Sequence, residues 1–194
     1  MKSKVLLALT LAGTMFYAHA NAQAQASTWT IDPQHSSVNF EITHLTVSHV
    51  HGALGNVKGE VVLNDKDITK SSVTATIDTT TVSTGVADRD THLKSADFFD
   101  IQKNPTMTFK STGLTKAGGK LQLTGDLTIR GVTKSVTLEV DGPVPPQTSQ
   151  GKTISAFSAS GKLSRKEFNF GQKYGPAAIG DDVKFTVDLE IDKK

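Results

Sequence analysis

Three histidines, His44, His49 and His51, fall within eight residues, and His49-Val50-His51 sets two imidazoles two positions apart, on one face if the segment is a strand. Imidazoles so spaced suit zinc or copper, with His35 or Glu41 as a third ligand if the fold brings one round. On that reading the chain is a metal- or redox-associated accessory protein. Ordinary hydrogen-bonded or exposed histidines are the simpler reading, and no metal is assigned. A second constellation, Arg89-Asp90-Thr91-His92, carries the ingredients of acid–base chemistry, and on a helix Asp88 lies at i,i+4 from His92. No G-x-S-x-G nucleophile motif completes a mechanism, so no catalytic residue is expected. The simpler role for these charges is to tie a short helix to neighbouring loops, with Leu93, Phe98 and Phe99 as its apolar anchor. A third set, Arg89, Arg165 and Lys173, suits a phosphate or carboxylate head group, with surface salt bridging as its plainer use.

The elements that must position these residues are mostly strands. Val183, Phe185, Val187, Leu189 and Ile191 alternate with Lys184, Thr186, Asp188 and Glu190, the pattern of a half-buried antiparallel strand. The same period runs through Val38-Phe40-Ile42, Val57-Val61-Leu63, Val73-Ala75-Ile77, Met107-Phe109, Leu121 to Ile129, and Val132 to Val140. With a segment near Thr153 to Leu163 this makes about eight strands, separated by turns such as Asn64-Asp65-Lys66-Asp67 and Arg130-Gly131. Val86 to Ala96 breaks the alternation and reads as one short helix. Ser164 to Asp182 has no clear alternation and holds Phe168, Phe170 and Tyr174; a loop that long suggests either an aromatic flap or a segment pinned by Arg165 and Phe168. An all-β barrel or sandwich follows, and an eight-stranded barrel is wide enough to hold one small ligand.

Lys2 and Lys4 precede an apolar run from Val5 to Tyr17, followed by small residues up to Ala26, the pattern of a cleavable signal peptide. Ala-x-Ala frames place the cut between residues 20 and 26, leaving 27–194 as a single exported domain, expected to be soluble because no run approaches the ~20 apolar residues of a spanning helix. The full chain has 21 Lys and Arg against 19 Asp and Glu, and without Lys2 and Lys4 it is neutral. Scattered, balanced charge argues against a nucleic-acid partner. Cysteine is absent, so the fold rests on its core rather than on disulfides.

Four ordered blocks are more specific. Trp29-Thr30-Ile31-Asp32-Pro33-Gln34-His35-Ser36-Ser37-Val38-Asn39-Phe40, followed by Ile42, His44 and Leu45, resembles the opening of the YceI-like family of periplasmic, lipocalin-like polyisoprenoid-binding proteins. Arg89-Asp90-Thr91-His92-Leu93 with Asp97-Phe98-Phe99-Asp100, then Gly125 to Lys134, then Ser164-Arg165 with Phe168 and Ile179-Gly180-Asp181, continue the resemblance in order. It implies an extended eight-stranded antiparallel barrel with a short helix at one end and an apolar interior that takes a polyisoprenoid, isoprenoid quinone or fatty-acyl chain. No cofactor is expected beyond such a lipid, and the expected role is a non-enzymatic periplasmic carrier.

Given the barrel, inward residues are candidates for its lining: Val38, Phe40, Ile42, Val61, Val73, Ile77, Met107, Phe109, Leu127, Val136, Phe157, Phe185 and Val187. Arg89, Phe98, Phe99, Arg165, Phe168 and Tyr174 are candidates for the mouth. A barrel packed solid, with its outside serving a protein partner, is the plainer alternative. Transient membrane contact and a homodimer through an exposed barrel edge complete the expected partners.

Overall fold

The computed structural model describes residues 26–194; the expected signal peptide and its cleavage frames lie outside them, apart from Ala26. Eleven strand segments follow one another: β1 (Ala26–Ile31), β2 (Ser37–His44), β3 (Ser48–Leu54), β4 (Lys58–Asn64), β5 (Ser72–Asp78), β6 (Thr106–Ala117), β7 (Lys120–Ile129), β8 (Val132–Asp141), β9 (Gln147–Ser149), β10 (Lys152–Ser164) and β11 (Ile179–Lys193). One α-helix, α1 (Ala87–Lys94), lies between β5 and β6. All pairings are antiparallel, and β10 pairs with β11 over eleven positions to close the sheet on itself.

Eleven segments make eight staves because three staves are broken; in one of them β9 continues β8 along the edge of β10. β1 and β2 lie end to end along the same edge of β11, Ile31 opposite Ile191 and Ser37 opposite Asp188, so five residues, Asp32 to Ser36, face two. The backbone of Glu190 ties the break, accepting from Asp32 N (2.9 Å) while its own N–H donates to the buried Ser36 hydroxyl (3.1 Å). β3 and β4 form the second broken stave, opposite β2 and β1 respectively. The eight periodic segments read from sequence map one to one onto these staves. For the first two, alternation marks only one half, because the Asp32–Ser36 break and the histidine-rich β3 interrupt it.

The excursion between β5 and β6 fills the gap beside β3. Ser83 and Ala53 exchange backbone hydrogen bonds (2.8 and 3.0 Å), Gly55 N donates to Thr81 Oγ1 (2.9 Å), and Thr79 N donates to the Pro105 carbonyl (2.9 Å). Helix α1 therefore sits at the barrel end where β2 meets β3, and the 165–178 loop covers the same end.

Apolar side chains point inward and Lys184, Thr186, Asp188 and Glu190 point outward, the inverse of a membrane-spanning barrel, whose outer band is apolar. Among the described residues no helix is long and apolar enough to cross a membrane. The far end is filled by Trp29, Ile31, Val61, Leu63 and Ile191, all buried.

Candidate functional site

Inward glycines keep the barrel hollow at the other end. Phe40 lies directly opposite Gly52 of β3 and Phe185 opposite Gly161 of β10, while Phe109 reaches diagonally to Gly125 on β7. A Cβ at any of these glycines would come within 2.3–2.8 Å of the phenylalanine ring. Each ring packs against a glycine of the neighbouring strand, a known use of aromatic–glycine pairs in sheets.

The result is a cavity of about 510 Å³, within the ~300–1,000 Å³ of small-molecule pockets. Eleven of the thirteen residues expected to line it do so: Val38, Phe40, Ile42, Val73, Ile77, Met107, Phe109, Leu127, Val136, Phe185 and Val187. Val61 and Phe157 do not. Both sit at the deep limit of the lumen: their partners Val73 and Leu189 still border it, but Val61 also pairs with the buried Trp29 and Phe157 packs against the core. Alternation gives the correct face of the strand but not the depth at which the lumen stops. Leu54, Leu123, Ile129, Leu138, Ala159 and Leu163 also line the cavity; all but Leu54 lie on staves whose inward face was legible.

Polar lining is confined to the mouth, where Arg89, His92, Phe98, Phe99, Arg165, Phe168 and Tyr174 all border the cavity. Their roles differ from the simple expectation. Arg165 is 1% exposed, and each of its five N–H groups has a backbone carbonyl: Nε to Gly180 (2.9 Å), Nη1 to Phe170 (3.0 Å) and Gly171 (2.7 Å), Nη2 to Tyr174 (2.8 Å) and Ile179 (2.8 Å). Asp181 Oδ1, 2.9 Å from Nη2 but off the N–H axis, supplies the counter-charge. Burial draws the guanidinium below its ordinary value and Asp181 draws it back. With every donor used, Arg165 pins the 165–180 loop and has none left for a ligand. The geometry thus gives the pinned segment, not a free flap.

Phe98 stacks on Tyr174 (5.6 Å) and meets Phe170 edge-on (5.3 Å), and Phe99 meets Phe170 (4.7 Å), locking the turn after α1 to the loop. Arg130 spans the same two segments, donating to the carbonyls of Ala96 and Asn169. In the sequence Arg130-Gly131 marks only a turn, since nothing local identifies a side chain that reaches residues 34 and 39 positions away.

His92 does not pair with Asp88. Its Nε2 lies 3.1 Å from the Tyr174 hydroxyl and 3.3 Å from Asp97 Oδ2, which also holds Lys173. Lys173, and then His92, hold the Asp97 carboxyl below the usual range, while Asp97 raises Lys173. Arg89 turns back to Thr84 (Nε to Oγ1, 2.7 Å), and Asp90 accepts from Thr84 N (2.7 Å) and Oγ1 (2.6 Å). These charges organise the helix entry, and no nucleophile lies among them.

The other histidines are separated. His44 borders the mouth, whereas His49 and His51 stand on the outer face of β3 beside Glu41, with His49 3.8 Å from it. Among the described residues the imidazole and carboxylate atoms that converge are those of Asp32, His35 and Glu190, within 4.8 Å of one another. His35 Nδ1 is 2.8 Å from Asp32 and 3.6 Å from Glu190, an ion pair across the break between β1 and β2.

A model of the YceI-like domain matches residues 29–191. Protein YceI of Escherichia coli O157:H7 is 41% identical over 187 residues, covering 95% of this chain and 96% of its own. A crystal structure of the Campylobacter jejuni YCEI protein superposes with a TM-score of 0.69 at 30% identity, covering 79% of this chain and 90% of that one. A polyisoprenoid binding domain from Saccharophagus degradans shares the fold, with a TM-score of 0.62 at 14% identity over 86% of this chain and 98% of that one. The domain match and the identity along nearly the whole length together show that this chain belongs to the YceI-like family.

Proposed function

We propose that the protein is a non-enzymatic carrier that holds one long apolar lipid, of the isoprenoid or fatty-acyl class, in the barrel and works in the periplasm. The observation that carries this reading is a one-ended apolar cavity: its shaft is lined by aliphatic and phenyl groups, and its polar groups gather at the mouth. Each methylene moved from water into such a shaft contributes about 0.8 kcal/mol, so tight binding needs no charged contact. Tyr174, His92, Asp97 and Lys173 form the polar edge against which a head group rests. Membership of the YceI-like family and the polyisoprenoid-binding name of the Saccharophagus domain support the ligand class. The lysine-flanked apolar run at the N-terminus supports export.

The test is native mass spectrometry of the protein purified without detergent from a Gram-negative periplasm, followed by solvent extraction. A single prenyl or acyl adduct per chain is expected. A bare mass in repeated preparations, with no uptake of added polyprenol, overturns the reading.

A further inference from the structure

The turn joining β2 to β3 departs from the other hairpins. Those carry charge or glycine, as at Asp65-Lys66-Asp67, Lys116 to Lys120 and Arg130-Gly131. Here Leu45 (φ 51°) and Thr46 (φ 59°) occupy the left-handed positions of a tight turn that ordinarily takes Asn-Gly, and a β-branched residue there is a backbone outlier. Strained turns of this kind cluster at functional sites. Leu45 is 54% exposed and Val47 86%. From Ile42 to Val57 sixteen consecutive residues contain no Asp, Glu, Lys or Arg, in a chain where 21% are charged. Leu45 also borders the cavity, so the exposed apolar tip is continuous with the lipid shaft.

We infer that the Leu45–Val47 tip docks on the uncharged interface of a phospholipid bilayer and delivers lipid to the cavity by contact. This rests on the carrier reading above. Two aliphatic side chains on a convex turn fall far short of the ~1,000 Å² of a specific protein interface, yet suffice for a brief anchor among acyl chains. A long apolar chain crosses water slowly for the same reason that it binds tightly, so a mouth that abuts the bilayer removes that step. With no formal charge at the tip, docking is insensitive to salt and to anionic lipid at neutral pH.

Two measurements test it. A nitrobenzoxadiazole-labelled polyprenol is transferred from the loaded protein to phosphatidylcholine vesicles. The wild-type rate is expected to rise in proportion to vesicle concentration, and the L45N/V47S variant to fall at least tenfold without losing thermal stability, asparagine being at ease where Leu45 is strained. A wild-type rate independent of vesicle concentration, or an unaffected variant, overturns the inference. Separately, the V47W variant is expected to be quenched by brominated phosphatidylcholine, while V144W, at the closed end, is not; equal quenching, or none at position 47, overturns it, as does sedimentation showing the tip buried in a dimer. Quenching at position 47 with no polyprenol uptake from any donor sinks the carrier reading and leaves the docking standing.

Discussion

Arg165 shows how one residue converts sequence into a mouth. A loop of glycine and aromatic residues has no regular partner for its carbonyls, and five of them turn inward to one guanidinium. Arg165→Ala orphans those carbonyls; a loss of about 3–5 kcal/mol is expected in urea unfolding, since each buried acceptor left unpaired costs about 1–3 kcal/mol and some of the five regain water. A loss under ~1 kcal/mol would show that the loop is held by its aromatics alone. Arg165→Lys keeps the charge but loses the fork, so it rescues little. His35 makes a different prediction, because it is exposed and its effect is read as pH dependence. The Asp32 hydrogen bond raises His35 above 6.5, and His35 lowers Asp32 below 3.8. The His35 contribution is full below its unfolded value and is lost as pH rises through the raised one. The Asp32 contribution is present above its unfolded value and is lost as pH falls through the lowered one. Wild type should therefore exceed His35→Gln in Tm most between the ordinary Asp and His values, about pH 4 to about pH 6, and the gap should close as pH rises through the raised His35 value. A gap that is constant across that range would mean the pair does not titrate with folding. His35 was weighed from sequence as a metal ligand; its contact with Glu190, across the break in the first stave, was not legible because the two lie 155 positions apart.

Among the elements, the hollow depends on pairs of neighbouring strands rather than on any one. Gly125→Ala or Gly161→Ala places a methyl 2.4 or 2.8 Å from a phenyl ring and tips that ring into the lumen. The expected costs are about 1–3 kcal/mol, typical of overpacking, with bound lipid in the purified protein reduced. Gly161→Ala combined with Phe185→Leu should recover part of both, since the smaller side chain vacates the space contested by the ring while Leu138 Cδ2 still meets the methyl at 2.8 Å; no recovery would sink the idea that the glycines serve as ring seats. Strand periodicity made the inward set readable, and the eleven lining residues found from it lie on six of the eight staves. What periodicity leaves open is depth: Val61 and Phe157 face inward like the rest, but at the limit of the lumen, next to the level that Trp29, Ile31 and Ile191 fill. The pairing of Phe109 with Gly125 was hidden for another reason, as it depends on a diagonal contact between strands whose register shifts near Ser111.

For the whole molecule, the cavity links stability to ligand. A lipid that binds the folded barrel alone stabilises it by about 2.7 kcal/mol at a hundredfold excess over Kd, so delipidated protein should melt lower and regain its Tm on titration with polyprenol. Ala159→Trp, which fills the shaft, should fold and melt without responding to the lipid; a full response would place the ligand elsewhere. The sequence by itself determined that the described chain is all-β with one short helix, which face of each strand is apolar, and the family, because these properties reside in local alternation and in ordered motifs. Only the tertiary structure decided that the staves close around empty space, that one end is plugged and the other bordered by polar groups, that Arg165 serves the loop, and that Leu45 and Val47 stand exposed at the open end. Closure, depth and the use of a donor all depend on residues far apart in the chain, and no local pattern encodes which of them meet.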